Sequence, residues 1–130
     1  MVAESAVQTQ QRLEAARMGL LLYRNNVGAC EDKTGRLIRY GLANDSAEQN
    51  RHIKSSDLIG MTTVVVTSDM IGRRVAVFTA AECKRSDWQF SQADERACAQ
   101  LRFHEIVRAA GGFAGFVQKP GDLLANVLRW

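Results

Sequence analysis

Two apolar runs dominate the middle of the chain. Leu58-Ile59-Gly60-Met61-Thr62-Thr63-Val64-Val65-Val66 and Val75-Ala76-Val77-Phe78-Thr79-Ala80-Ala81 are rich in small and β-branched residues, and each reads as a buried strand. The stretch between them, Thr67 to Arg74, carries turn residues and charge. Folding the chain back through it predicts an antiparallel hairpin over 57–84. Upstream, Glu4 to Gly19 reads as a helix with Gly19 as its cap. Leu20 to Arg24 is short and extended, Asn25 to Thr34 a polar loop, and Gly35 to Tyr40 a strand. Leu42 to Ser56 has no apolar period and reads as a surface loop or frayed helical turn. Downstream, Ser91-x-x-Asp94 is a capping-box signal opening a long helix. Its apolar stripe is Ala99, Phe103, Ile106, Val107 and Ala110. Gly111-Gly112 ends that helix, Phe113 to Val117 is a further strand, and Asp122 caps a last short helix through Leu128. Helices alternate with strands apolar on both faces. The class is therefore α/β, a mixed central sheet flanked by helices.

The ends of the predicted hairpin carry the chemistry. Along a strand, residues two apart share a face, so Glu82 and Lys84 project together and Cys83 points away. A carboxylate and an ammonium at the end of an apolar strand are costly to bury without a partner or a task. In a regular hairpin Asp57 faces Glu82 with Cβ atoms roughly 5 Å apart. Two carboxylates that close repel unless a cation lies between them. Oxygen-only ligands suit Mg²⁺ or Mn²⁺ rather than zinc. The bland alternatives are a strand-start aspartate and a surface salt bridge worth little.

Bulk properties narrow the class further. The chain has 130 residues, 46% hydrophobic and 24% charged, with a net charge of +3. That describes one soluble domain, 1–130, large enough for a core. The charge is mildly basic and compatible with a polyanionic partner. No apolar run is long enough to span a membrane. Cys30, Cys83 and Cys98 form no paired motif and read as reduced thiols of a cytoplasmic protein.

The order Asp, apolar strand, Glu-x-Lys resembles the PD-(D/E)XK nuclease superfamily, and in detail its virus-type replication-repair nuclease branch, the VRR-NUC domain. The resemblance runs from Glu4-x-x-x-Gln8 through Arg24-Asn25-Asn26-x-Gly28, Ser55-Ser56-Asp57-Leu58-Ile59-Gly60 and Ala81-Glu82-Cys83-Lys84. It continues with Gln100 and ends on Phe113-Ala114-Gly115-Phe116-Val117. Ser56 stands where the superfamily name has proline, a position that holds no ligand. The resemblance implies a restriction-endonuclease-like core and metal-dependent hydrolysis of DNA. It assigns Asp57, Glu82, Lys84 and Gln100 to catalysis. It assigns Mg²⁺ or Mn²⁺ to Glu4, Asp57, Glu82 and the backbone carbonyl of Cys83. Glu14 is the rival to Glu4 and cannot share its helix face.

Arg24, Lys54 and Arg85 flank the matched motifs and are expected on DNA phosphates. Trp88 and Phe90 come after the catalytic strand, where they either stack on a base or lid the core. His52 and His104 read as bystanders. The resemblance further implies a homodimer cutting branched DNA such as four-way junctions, of the stand-alone type carried by phages and prophages in the bacterial cytoplasm. The reading in another class is a module of the same fold that binds nucleic acid without cutting it.

Overall fold

The computed structural model describes residues 2–130. They divide into two units, Met1–Gly60 and Met61–Trp130. Helices and strands mix along the chain, and the strands among the described residues form three two-stranded sheets. No helix among the described residues is long and apolar enough to cross a membrane.

The first unit opens with helix α1, Glu4–Arg17. Glu4 sits in its first turn and Arg17 in its last, both favourable to the helix dipole. The helix ends where expected, at Gly19, whose φ of 77° suits glycine. Ala15 is its single buried residue. Strand β1, Leu21–Arg24, pairs with β4, Leu58–Met61. The approach is so close that a Cβ on Gly60 would collide with the Leu21 carbonyl oxygen, so only glycine fits there.

The loop expected over 25–34 instead contains strand β2, Gly28–Glu31, antiparallel to β3, Leu37–Tyr40. Its turn is fixed by Asp32. One carboxylate oxygen accepts from Thr34 Oγ1 (2.6 Å), Thr34 N (2.8 Å) and Arg36 N (3.0 Å). Those bonds, the Thr34 hydroxyl first, hold the Asp32 carboxyl below its usual pKa. Asn44 is 3% exposed and locks the hairpin's open end by donating to the Gly28 and Tyr40 carbonyls. The irregular stretch before Asp57 holds a short helix α2, Ala47–His52, capped by Ser46.

The second unit is built on β5, Thr79–Cys83, and β6, Phe113–Val117. They are parallel, with Thr79 opposite Phe113 and Cys83 opposite Val117. Helix α3, Glu95–Ala109, is the crossover that a parallel pair requires. Asp94, not Ser91, is its N-cap, accepting from Ala97 N at 3.0 Å, while Ser91 serves the turn before it. The helix buries Ala97, His104 and Val107, and Ile106 of the expected stripe is 46% exposed. The buried seam thus runs through a polar position that hydrophobicity alone does not mark. The chain closes with a π-helical turn, Leu123–Val127. Gly115 admits it, because a Cβ there would meet the Asn126 carbonyl. Asp122 caps the preceding turn rather than this helix, accepting from Gln118 N and Lys119 N.

The predicted hairpin over 57–84 does not form. β4 stops at Met61 and pairs with β1, and β5 pairs with β6. The segments 62–67 and 71–78 have no strand structure. Apolarity expresses a need for a partner but does not name one. β5 meets that need with β6, its ladder running on through Phe113 N to Phe78 O (2.8 Å) and Lys84 N to Val117 O (2.9 Å).

Candidate active site at the end of β5

β5 alternates between exposed and half-buried residues, and Glu82 and Lys84 fall in the half-buried set with Cys83 exposed. The two charged side chains share the face that α3 covers. Gln100, one turn into α3, lies between them. Lys84 Nζ donates to Gln100 Oε1 at 2.7 Å, and Gln100 Nε2 donates to Glu82 Oε1 at 2.7 Å. The amide matches both charges, its oxygen toward the ammonium and its N–H toward the carboxylate. This network fixes the amide orientation. Among the described residues no direct ion pair joins Glu82 and Lys84. Glu82 Oε2 accepts no hydrogen bond from the described residues, so one carboxylate oxygen is free for a cation or a water.

Aromatic rings wall this cluster. Trp88 and Phe116 meet at a 41° tilt with centroids 4.8 Å apart, and Lys84 Nζ lies 5.2 Å from the Trp88 ring and 5.7 Å from Phe116. Phe90 meets Trp88 edge-on at 6.2 Å. Beneath them His104 is 3% exposed and packs against Phe116 at 4.7 Å. Its Nδ1 has no hydrogen-bond partner among the described residues. Burial first, and then the Arg108 guanidinium, hold His104 below its ordinary pKa, while Glu82 pulls the other way. A neutral imidazole is the form such a pocket favours. Read as a bystander from sequence, His104 is instead part of the site's floor. The signal that could have found it is its position, one turn beyond Gln100 on the same helix face.

The remaining sequence candidates are described within their own units. Glu4 and Asp57 belong to the first unit, and both are exposed. The Asp57 carbonyl accepts from Asn25 N at 2.8 Å, and Asn25 Nδ2 donates to Ser55 Oγ and the Ser56 carbonyl, both at 2.8 Å. The Asn25 of one motif thereby holds the Ser55-Ser56-Asp57 of another. Arg24 is exposed and lines a polar cleft of about 140 Å³ with Ser5, Gln8, Thr9 and Arg12. Lys54 Nζ donates to Asn50 Oδ1. Arg85 is exposed and pairs with Asp87 at 3.4 Å. Among the described residues, no three His, Cys, Asp or Glu side chains are grouped as a metal would need, and all three cysteines are free. No family model matches the chain, and no curated protein or solved structure matches it.

Proposed function

We propose that this chain, as one nuclease domain over 1–130, hydrolyses DNA phosphodiesters with a divalent metal, as a VRR-NUC-type member of the PD-(D/E)XK superfamily with that superfamily's core. The observation that supports the reading is the Lys84–Gln100–Glu82 bridge. An ammonium and a carboxylate on one face of a strand end are held in register by a neutral amide. They are not consumed by pairing with each other. Such a set offers a cation for a phosphate and a free carboxylate oxygen beside it.

The sequence pattern assigns the metal, Mg²⁺ or Mn²⁺, to Glu4, Asp57, Glu82 and the Cys83 carbonyl. Glu82 Oε2 suits that role by being free. The metal supplies charge stabilisation and an acidified water when bound. The side chains do the rest. Lys84 has donors left beyond its bond to Gln100 and directs them at a phosphate oxygen, where charge develops. Gln100 fixes the direction of both neighbours. Arg24, Lys54 and Arg85 contact phosphates of the flanking strand. Branched DNA, four-way junctions included, is the proposed substrate, and a homodimer is the proposed cutting unit, since symmetric strands require paired cuts.

A cleavage assay over single-strand, duplex, flap and four-way junction DNA, with Mg²⁺, Mn²⁺ or chelator, tests this. Metal-dependent cutting lost in Lys84→Ala supports it, and equal cutting in chelator refutes it. The second reading is a module of the same fold that binds nucleic acid without cutting. Binding without cleavage in every metal would select it.

A further inference from the structure

The loop after β5 is clamped from a single side chain. Gln118, just past β6, donates through Nε2 toward the carbonyls of Trp88 (2.8 Å), Arg85 (2.9 Å) and Ser86 (3.3 Å). Trp88 N closes the turn onto the Arg85 carbonyl at 3.0 Å. The clamp fixes a loop whose Trp88 is half-buried and whose Phe90 is 41% exposed. The Trp88 indole N–H has no partner among the described residues. A tryptophan meant only to lid the core does not need its loop pinned by three carbonyls or its N–H left open to solvent.

We infer that Trp88 and Phe90, held by Gln118, form a docking platform for one unstacked nucleobase beside the Lys84–Gln100–Glu82 site. Charge selects this occupant over an apolar protein segment. Lys84 Nζ is 5.2 Å from the Trp88 ring. A nucleotide joins a flat apolar base to an anionic phosphate through one sugar, and so matches a ring beside a cation. An apolar peptide would cover the Lys84 ammonium without offering it an anion. The free indole N–H adds a donor for a sugar or phosphate oxygen. The preferred substrate then contains a nucleotide that is single-stranded or easily extruded. This inference rests on the nucleic-acid reading above but not on cleavage.

The test is binding in chelator, where no cutting occurs. The probes are a short oligo(dT), an abasic oligonucleotide of equal length and a blunt duplex. A Trp130→Phe background leaves Trp88 as the only indole. Oligo(dT) should quench its emission, and the abasic strand should not. Trp88→Ala should weaken oligo(dT) binding by about 5- to 100-fold, the range of one base–aromatic stack. It should leave the abasic strand and the duplex unchanged. Trp88→Phe should keep most of the affinity, and Gln118→Ala should lose part of it. If Trp88→Ala fails to fold, the quench and the Trp88→Phe and Gln118→Ala pair decide the matter. Equal affinity for base-bearing and abasic strands overturns the platform, as does an equal loss on every probe, which would mark a protein-facing or purely structural tryptophan. Junction cleavage persisting beside that result would leave the proposed function standing. Base-specific quenching without any cleavage would keep the platform and discard the nuclease.

Discussion

Two segments of the same unit, Thr79 to Cys83 and Thr62 to Val66, each overlap an apolar run that reads from sequence as buried strand, Val75 to Ala81 and Leu58 to Val66. The first is hydrogen-bonded along its length to β6 and half-covered by α3. The second has no strand partner among the described residues, and Val64, Val65 and Val66 are between 57% and 79% exposed. The difference lies in the next element of the chain. β5 leads into a helix that returns β6 alongside it. Thr62 to Val66 leads into a short 3₁₀ turn, Ser68–Met70, with nothing to pair against. Composition sets the wish for burial, and connection length and neighbours decide whether it is met.

The largest expected effect comes from removing the charges assigned to catalysis, Lys84 just past the first segment and Asp57. Lys84→Ala should lower cutting by about 100- to 1000-fold, the usual worth of one donor aimed at developing charge. Junction affinity should stay within a few-fold. Asp57→Asn should do the same if the sequence pattern assigns the metal correctly. Near wild-type rates in either variant, measured under saturating Mn²⁺, would dissolve the assignment. Next in size is Gln100→Ala, expected to lower kcat by about 10- to 100-fold through lost alignment. Gln100→Glu replaces the amide by a second negative charge beside Glu82 and should be no better. A change in KM alone would make Gln100 a binding residue instead.

The site's legibility shows the same contrast. The shared face of Glu82 and Lys84 is a matter of strand periodicity, which two residues settle. Gln100 and His104 are one helical turn apart, and helix periodicity places them together. The Gln118 clamp has no local signature, because a lone glutamine after a strand binds loop carbonyls only once β6 lies beside β5. Of the fold, α1, β5, α3 and β6 could be read from capping residues and apolar runs. The β2–β3 hairpin could not, since Gly28 to Glu31 is short and mostly exposed, and its stability comes from the Asp32 turn and the buried Asn44. The 57–84 hairpin is a pairing inferred from two patterns, and partner choice is the step that patterns leave open.

Stability measurements sharpen the comparison at the scale of single side chains. Val107 is fully buried where α3 meets the sheet, and Val107→Ala should cost about 2 kcal/mol by chemical denaturation. A smaller effect concerns His104. Its folded-state pKa lies below the ordinary 6.5, chiefly because of burial. The unfolded chain therefore takes up a proton near that value while the folded chain resists. The contribution to stability is complete above about pH 6.5 and is lost as pH falls below it. Melting temperatures at pH 7.5 and 5.5 should diverge more for wild type than for His104→Gln. Equal slopes would mean that Glu82 offsets burial at the imidazole, and a reversed difference that Glu82 governs it.

The smallest expected effect belongs to the exposed run. Val65 is 79% exposed, so Val65→Thr removes little buried surface in a single chain. The change in unfolding free energy should stay within about 0.5 kcal/mol at low protein concentration. Repeating the measurement over a hundredfold range of concentration turns this near-zero into information. If two copies associate through Thr62 to Val66, wild-type stability rises with concentration and the variant's rises less. If the proposed homodimer uses another face, both rise alike and the difference stays small throughout. A large loss from Val65→Thr at the lowest concentration would contradict its exposure and bring back a paired strand over 62–66.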